Sequence, residues 1–317
     1  MSFVHLRVRL AILLVGLSGS AASAGALPDF MPLWNWEHPE STEVRFRELL
    51  PAARASGDED YLGQLLTQVA RTQGLQARFE AADSTLETVR PYLRADRATL
   101  AVRYLLERGR VRNSAGDKGA AEPLFREAWE TARRAGLDGL AIDAAHMIAI
   151  ATPPDTALAW NLRALELVEA TEDPKAKGWA GPLYNNLGWT YHDRGEYERA
   201  LELFEKGLEF RRAEGRPLET RIAAWSVARA QRSLGRLDEA LAAQLALQAE
   251  WEAAGGSDGY VEEEIAECLD ALGRTEEAAA WFARAYHSLS EDPWLSRSEP
   301  DRLRRMAERG GVTATDR

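Results

Sequence analysis

Cysteine is all but missing from these 317 residues, with Cys268 the single thiol. One cysteine cannot close an intrachain disulfide, so the fold carries no covalent staple. Ile265 and Leu269 flank Cys268 at helical spacing, which makes it a buried, inert thiol, the usual state of a free cysteine. Lysine is also scarce, occurring at positions 118, 175, 177 and 206, and acids outnumber bases 50 to 39, for a net charge of −11. An acidic surface repels phosphate backbones and excludes nonspecific DNA or RNA binding. β-branched runs and strand-length alternation of apolar residues are lacking, which leaves an all-α chain.

Catalytic signatures are lacking too. The chain has no Gly-x-Ser-x-Gly elbow, no His-Glu-x-x-His, no phosphate-binding Gly-x-x-x-x-Gly-Lys and no Gly-x-Gly-x-x-Gly after a strand. His38, His146, His192 and His287 are scattered and none is paired at i, i+4, so no metal site is expected. The glycine-rich 255–259 stretch follows no strand and reads as a plain turn. The expectation is a protein without catalytic residues, cofactor or metal. An envelope enzyme on a repeat scaffold is the weaker alternative, because little chain remains outside the repeats described below.

What the sequence does contain is clearest at Tyr184, Leu187, Gly188 and Tyr191, which fall at i, i+3, i+4 and i+7 and form one helical stripe. Gly188 has no side chain to hold a partner helix away. Gly195 then ends the helix, Ala200 supplies the matching small contact on the next one, and Phe204 fills the gap one turn later. Degraded copies recur with turns set at Gly74, Gly116, Thr152, Gly195, Gly235 and Gly273. The period is about 40 residues, which implies stacked helix pairs. Second-helix contacts follow each turn: Phe79 where a small residue is usual, then Ala121 with Phe125, Ala157 with Ala164, Ala240 with Leu247, and Ala278 with Phe282.

These motifs resemble the tetratricopeptide repeat family over six units, at about 60–93, 102–135, 138–171, 181–214, 221–254 and 259–292. The resemblance implies a right-handed superhelical solenoid of antiparallel helix pairs spanning 59–292 and acting as a non-enzymatic protein-interaction scaffold. Residues 1–24 read instead as a secretory signal peptide. Arg7 and Arg9 precede an apolar run from Leu10 to Leu17, and Ala22-Ser23-Ala24 offers a small-x-small cleavage site. Cleavage would move the net charge from −11 to −13 by removing two arginines, leave no integral membrane span, and place the protein in the periplasm or outside the cell. Residues 25–58 hold Trp34 and Trp36, read as covering the first unit, and a capping helix from Val44 to Ala55 that packs through Val44, Leu49 and Leu50. Gly57-Asp58 ends that helix and caps the next. Residues 293–317 read as a capping helix started by Ser298 as N-cap, then a frayed tail.

In the family resembled, the first helix of each unit lines a concave groove, along a stripe one residue past the buried one. Carried over by position, that stripe comprises Gln64, Gln68 and Arg71, then Arg103, Leu106, Arg110 and Asn113, then Ile142 and His146. It continues through Asn185, Trp189 and His192, then Trp225, Arg229 and Arg232, and ends in Glu263, Glu267 and Asp270. The resemblance assigns Asn185 to the backbone of an extended peptide and Arg110, Arg229 and Arg232 to a carboxylate. The partner expected is therefore a protein or peptide segment, acidic or aromatic-bearing. Two alternatives remain open: the arginines pair with neighbouring acids such as Glu263 while the tryptophans pack between units, or the solenoid self-associates.

Overall fold

The computed structural model describes residues 27–312, and among these described residues there are helices and their connections and no strand. After α1 (Pro39–Ser56) come the pairs α2 (Glu59–Leu75) with α3 (Phe79–Val89), α4 (Ala98–Ser114) with α5 (Lys118–Arg134), and α6 (Asp138–Ala151) with α7 (Pro154–Ala170). A four-residue α8 (Pro174–Lys177) intervenes. The series resumes with α9 (Ala180–Asp193) and α10 (Tyr197–Glu214), α11 (Pro217–Ser233) and α12 (Leu237–Ala253), and α13 (Gly259–Ala271) and α14 (Thr275–Ser290). α15 (Pro293–Ser298) and α16 (Pro300–Gly310) follow. Each helix packs mainly on its sequence neighbours, so the molecule is an all-α solenoid of stacked pairs. Residues 1–24, read from sequence as a signal peptide, and the end of the tail, 313–317, lie outside the described residues.

The turn at Gly195 shows why these pairs form. Its φ of 77° is left-handed, which lets Glu196 N–H reach the Tyr191 carbonyl at 2.9 Å and reverse the chain. Within the pair, a Cβ added to Gly188 would overlap the Phe204 ring, and one added to Gly109 would overlap Phe125 in the same way. Glycine thus lets a phenylalanine lie flat against the first helix. Leu187 and Ala200 are fully buried, whereas Tyr184 and Tyr191, at the edges of the stripe, are half-buried.

The first turn differs from expectation, and the third, set at Thr152, closes without a glycine. In the first pair Gly74 lies inside α2, and the left-handed residue is Ala77, at φ 58°. A 2.9 Å bond from Arg78 N–H to the Gln73 carbonyl closes the same reversal three residues later. The register moves with it, so Ala82 takes the buried small contact assigned to Phe79, and Leu86 is buried one turn later. In the third pair Thr152 is extended, at φ −108° and ψ 163°, and its hydroxyl bonds the Ile148 carbonyl at 2.8 Å. Pro154 then starts α7, since a first-turn proline loses no helical hydrogen bond.

The ends also need correction. In α1 the buried residues include Phe46, Leu50 and Ala53, while Val44 is 58 % exposed on the outer side. Ser298 is not the N-cap of the last helix. The Glu299 N–H bonds the Leu295 carbonyl at 2.8 Å, which carries α15 through Ser298, and Glu299 precedes α16 without a side-chain cap. Gly57, at φ 74°, ends α1, and Asp58 caps α2 by accepting from Tyr61 N–H at 2.9 Å. Cys268 is fully buried, and burial, reinforced by Glu264, pushes its thiol up to about 12.

The hydrophobic core is not continuous. One cluster runs from Phe30 to Leu187, a small one gathers Ala200, Leu201, Phe204 and Ala230, and a third runs from Ala240 to Met306. The first break falls between α9 and α10 and the second between α11 and α12, and α11 buries Ser226, Ala228 and Ala230.

Candidate peptide-binding face

α4 sets Arg103, Glu107, Arg110 and Asn113 along one face by helical spacing, and α2 and α6 bring Arg71, Asp143 and His146 beside them. Arg110 bonds Glu107 at 2.5 Å and also Asp143. Burial works against the Arg110 charge, but the two carboxylates outweigh it and hold its pKa above the ordinary arginine value. Arg71 lies 3.6 Å from Glu107, and burial together with Arg110 lowers its pKa. Arg103 has no carboxylate partner among the described residues. Its Nη1 rests 3.7 Å from the Met31 sulfur, its Nε is buried and unpartnered, and burial lowers its pKa. Asn113 Oδ1, Arg110 Nε and His146 Nδ1 are buried without partners as well. The His146 ring sits 5.6 Å from Trp179, which enters between α8 and α9, and burial depresses its pKa.

Further along, Trp189, Trp225 and Tyr260 form a ladder from α9 to α11 to α13, with ring centres 5.7 and 6.3 Å apart. Trp225 Nε1 donates to the Tyr260 carbonyl at 3.1 Å, and Trp189 packs on Phe204 at 5.0 Å. His192 Nε2 lies 2.9 Å from the Ser233 hydroxyl, to which Arg229 also donates at 2.7 Å. Burial, with Arg229 and Arg232, lowers the His192 pKa to about 4, so the ring is neutral at pH 7. Asn185 is half-buried, and its side-chain amide has no partner among the described residues.

The expected cationic middle is largely neutralised. Glu264 holds Arg232 with two bonds, at 2.7 and 3.0 Å, and takes Arg229 at 3.0 Å. Burial lowers the Arg229 pKa, while Glu264 keeps that of Arg232 raised against its own burial. Glu263, expected on the groove stripe, is 4 % exposed and pairs with Arg302 of α16. Leu106 and Ile142 also leave the stripe, being 1 % and 0 % exposed in the core. The cause is geometric. Counting back three residues from the small packing residue of each first helix gives Thr67, Leu106, Ile142, Asn185, Trp225 and Glu263. This position faces the neighbouring first helix, and it is half-open only at Asn185 and Trp225.

Sequence reading missed Glu107, Asp143, Glu264, Ser233, Trp179 and Tyr260. A signal was available for the acids: Asp143 follows Arg110 by 33 residues and Glu264 follows Arg232 by 32, roughly one repeat, so each lies on the next first helix. Among the described residues no group of three His, Cys, Asp or Glu could hold a metal ion, and no helix is long and apolar enough to cross a membrane.

Residues 140–213 match the tetratricopeptide repeat family model. No curated protein matches the chain. Among solved structures it is similar to a signal transduction ATPase with numerous domains carrying a tetratricopeptide repeat sensor, from Pyrococcus horikoshii, at 14 % identity and a TM-score of 0.66. That match covers 84 % of this chain but 41 % of the archaeal one, so this chain spans less than half of that relative. The apo form of RapI is similar at 13 % identity and a TM-score of 0.66, covering 86 % of this chain and 81 % of RapI. Aspartyl phosphate phosphatase F of Bacillus subtilis is similar at 14 % identity and a TM-score of 0.54, covering 92 % and 85 %. Tetratricopeptide repeats at 140–213, set within a solenoid of the same kind, are what sequence and fold together establish.

Proposed function

We propose that the protein is a non-enzymatic interaction scaffold that holds an extended partner segment against the first helices of its fourth and fifth pairs. The observation that carries this reading is the inter-helix position occupied by Asn185 and Trp225, closed in the other four pairs and half-open here. Asn185 presents an amide able both to donate to and to accept from a peptide backbone. Trp189, Trp225 and Tyr260 offer aromatic faces beside it. Because Glu264 already takes Arg229 and Arg232, attraction at this place is aromatic and amide-borne, and it weakens little with salt.

We propose in addition that the scaffold works outside the cytoplasm, a reading that rests on the 1–24 pattern alone. One experiment tests both parts. A benzoyl-bearing phenylalanine at position 189 is irradiated in intact cells, which are then fractionated, with and without Asn185→Ala. The expected result is a discrete crosslinked polypeptide in the extracytoplasmic fraction, reduced roughly tenfold by Asn185→Ala through loss of about 1–1.5 kcal/mol of hydrogen bonding. A crosslink unaffected by Asn185→Ala rejects the site. A cytoplasmic chain that keeps its leader rejects export alone.

A further inference from the structure

We infer that segment 28–36 is a detachable occupant of the first-helix face of the first two pairs, held in cis, and that this face accepts extended aromatic, proline-bearing segments of the same chemistry. The contacts are those of a docked ligand. Phe30 is 6 % exposed, wedged edge-on against Phe46 of α1 at 6.1 Å and Tyr61 of α2 at 5.3 Å. Trp34 meets Phe46 edge-on at 5.4 Å, and its Nε1 donates to Gln68 Oε1 at 3.1 Å. The Tyr61 hydroxyl donates to the Pro28 carbonyl at 2.8 Å. Trp36 stacks on Trp34 with centroids 4.1 Å apart and lies 5.9 Å from the Arg71 guanidinium, while the Met31 sulfur meets Arg103.

The segment's side chains make all of these attachments except the one at the Pro28 carbonyl. From Met31 to Trp34 the segment's backbone bonds to backbone are internal, from Leu33 N–H to the Phe30 carbonyl and from Trp34 N–H to the Met31 carbonyl. At its α1 end Asn35 N–H donates to Thr42 Oγ1 at 2.9 Å and the Asn35 carbonyl accepts from that hydroxyl at 3.1 Å, which hinges the segment on α1. Among the described residues no backbone-to-backbone bond from the segment reaches α2 or α4. Its outer members remain in contact with water, Met31 at 38 % and Trp36 at 59 % exposure. An integral cap of a terminal repeat would bury its large rings against the stacking end. Here two anchors, Phe30 and Trp34, are inserted, and the rest lies over Arg71 and Arg103, cations of the same stripe that carries Asn185 further along. The segment thereby keeps that end of the face from other chains. Recognition through side-chain pockets by a proline-stiffened segment is a known mode of peptide docking. The inference does not depend on the site proposed at Asn185.

The test uses the full chain with Phe30→Ala and Trp34→Ala together, and a fluorophore-labelled synthetic peptide of residues 27–38 as probe. The doubly substituted chain should bind the peptide saturably in the micromolar range. The unsubstituted chain should bind it on the order of 100-fold more weakly, because a short tether presents its own segment at roughly millimolar effective concentration. Circular dichroism of both chains accompanies the measurement. Unchanged helix content without peptide binding overturns the inference, and so does loss of cooperative melting in the variant, which would make the segment an integral part of the fold.

Discussion

At the scale of single residues, His192 shows what burial beside cations does. Arg229 and Arg232 face it from α11 together with Ser233, while Trp189 and Tyr197 pack on its ring. The folded imidazole titrates at about 4, against about 6.5 in an unfolded chain. The unfolded state therefore binds a proton here that the folded state refuses. Stability from this group is complete above pH about 6.5 and is lost progressively as the pH falls toward about 4. His146, also depressed by burial, adds in the same direction. Proton NMR should give the His192 ring a midpoint near 4, and His192→Gln should reduce the fall in melting temperature between pH 7 and pH 5. A midpoint near 6.5 would refute the burial argument.

Among elements, α16 is the clearest dependent. Leu303 and Met306 are its buried apolar residues, but Arg302 ties it to Glu263 of α13, and Arg309 reaches Asp270 at 2.7 Å. Glu263 is almost fully buried, so removing its guanidinium leaves a carboxylate without compensation. Arg302→Ala should cost about 3 kcal/mol in urea denaturation at pH 7, whereas Arg304→Ala, at an exposed pair with Asp301, should cost under about 1 kcal/mol. Equal effects would mean that the Glu263 pair contributes no more than a surface contact. The pairing was only half-legible in sequence: the C-terminal capping helix could be read, but Glu263 was placed on the groove stripe. Which side of α13 would be covered depended on where α16 came to lie.

For the whole molecule, the divided core matters most. A solenoid's stability is nearly a sum over units and their interfaces, so a weak junction opens before its neighbours. α11 lies between the second and third apolar clusters and buries no large side chain completely. Hydrogen exchange should show α11 amides exchanging at least about tenfold faster than those of α4 and α13, a gap of about 1.4 kcal/mol in opening free energy. Uniform protection along all six pairs would remove the weak junction. Trp225, half-buried, lies on α11 itself, so the proposed binding face and the expected weak junction share that helix.

Helix pairing, the turn at Gly195 and the Gly188–Phe204 contact were readable from residue order, because helical period, left-handed glycine and small-against-large packing act within about 40 residues of chain. The first unit's register escaped that reading because Ala77 does the work expected of a glycine, which only the bond from Arg78 to Gln73 reveals. Which arginines remain available for a partner was likewise settled in three dimensions. Arg110, Arg229 and Arg232 meet acids about one repeat away, whereas Arg103 has no carboxylate partner among the described residues, and Asn185 and Trp225 are half-buried where the equivalent positions of the other pairs are closed. Local chemistry determines each helix pair. How closely one pair lies on the next, and therefore what is left exposed to bind, is decided by packing across units.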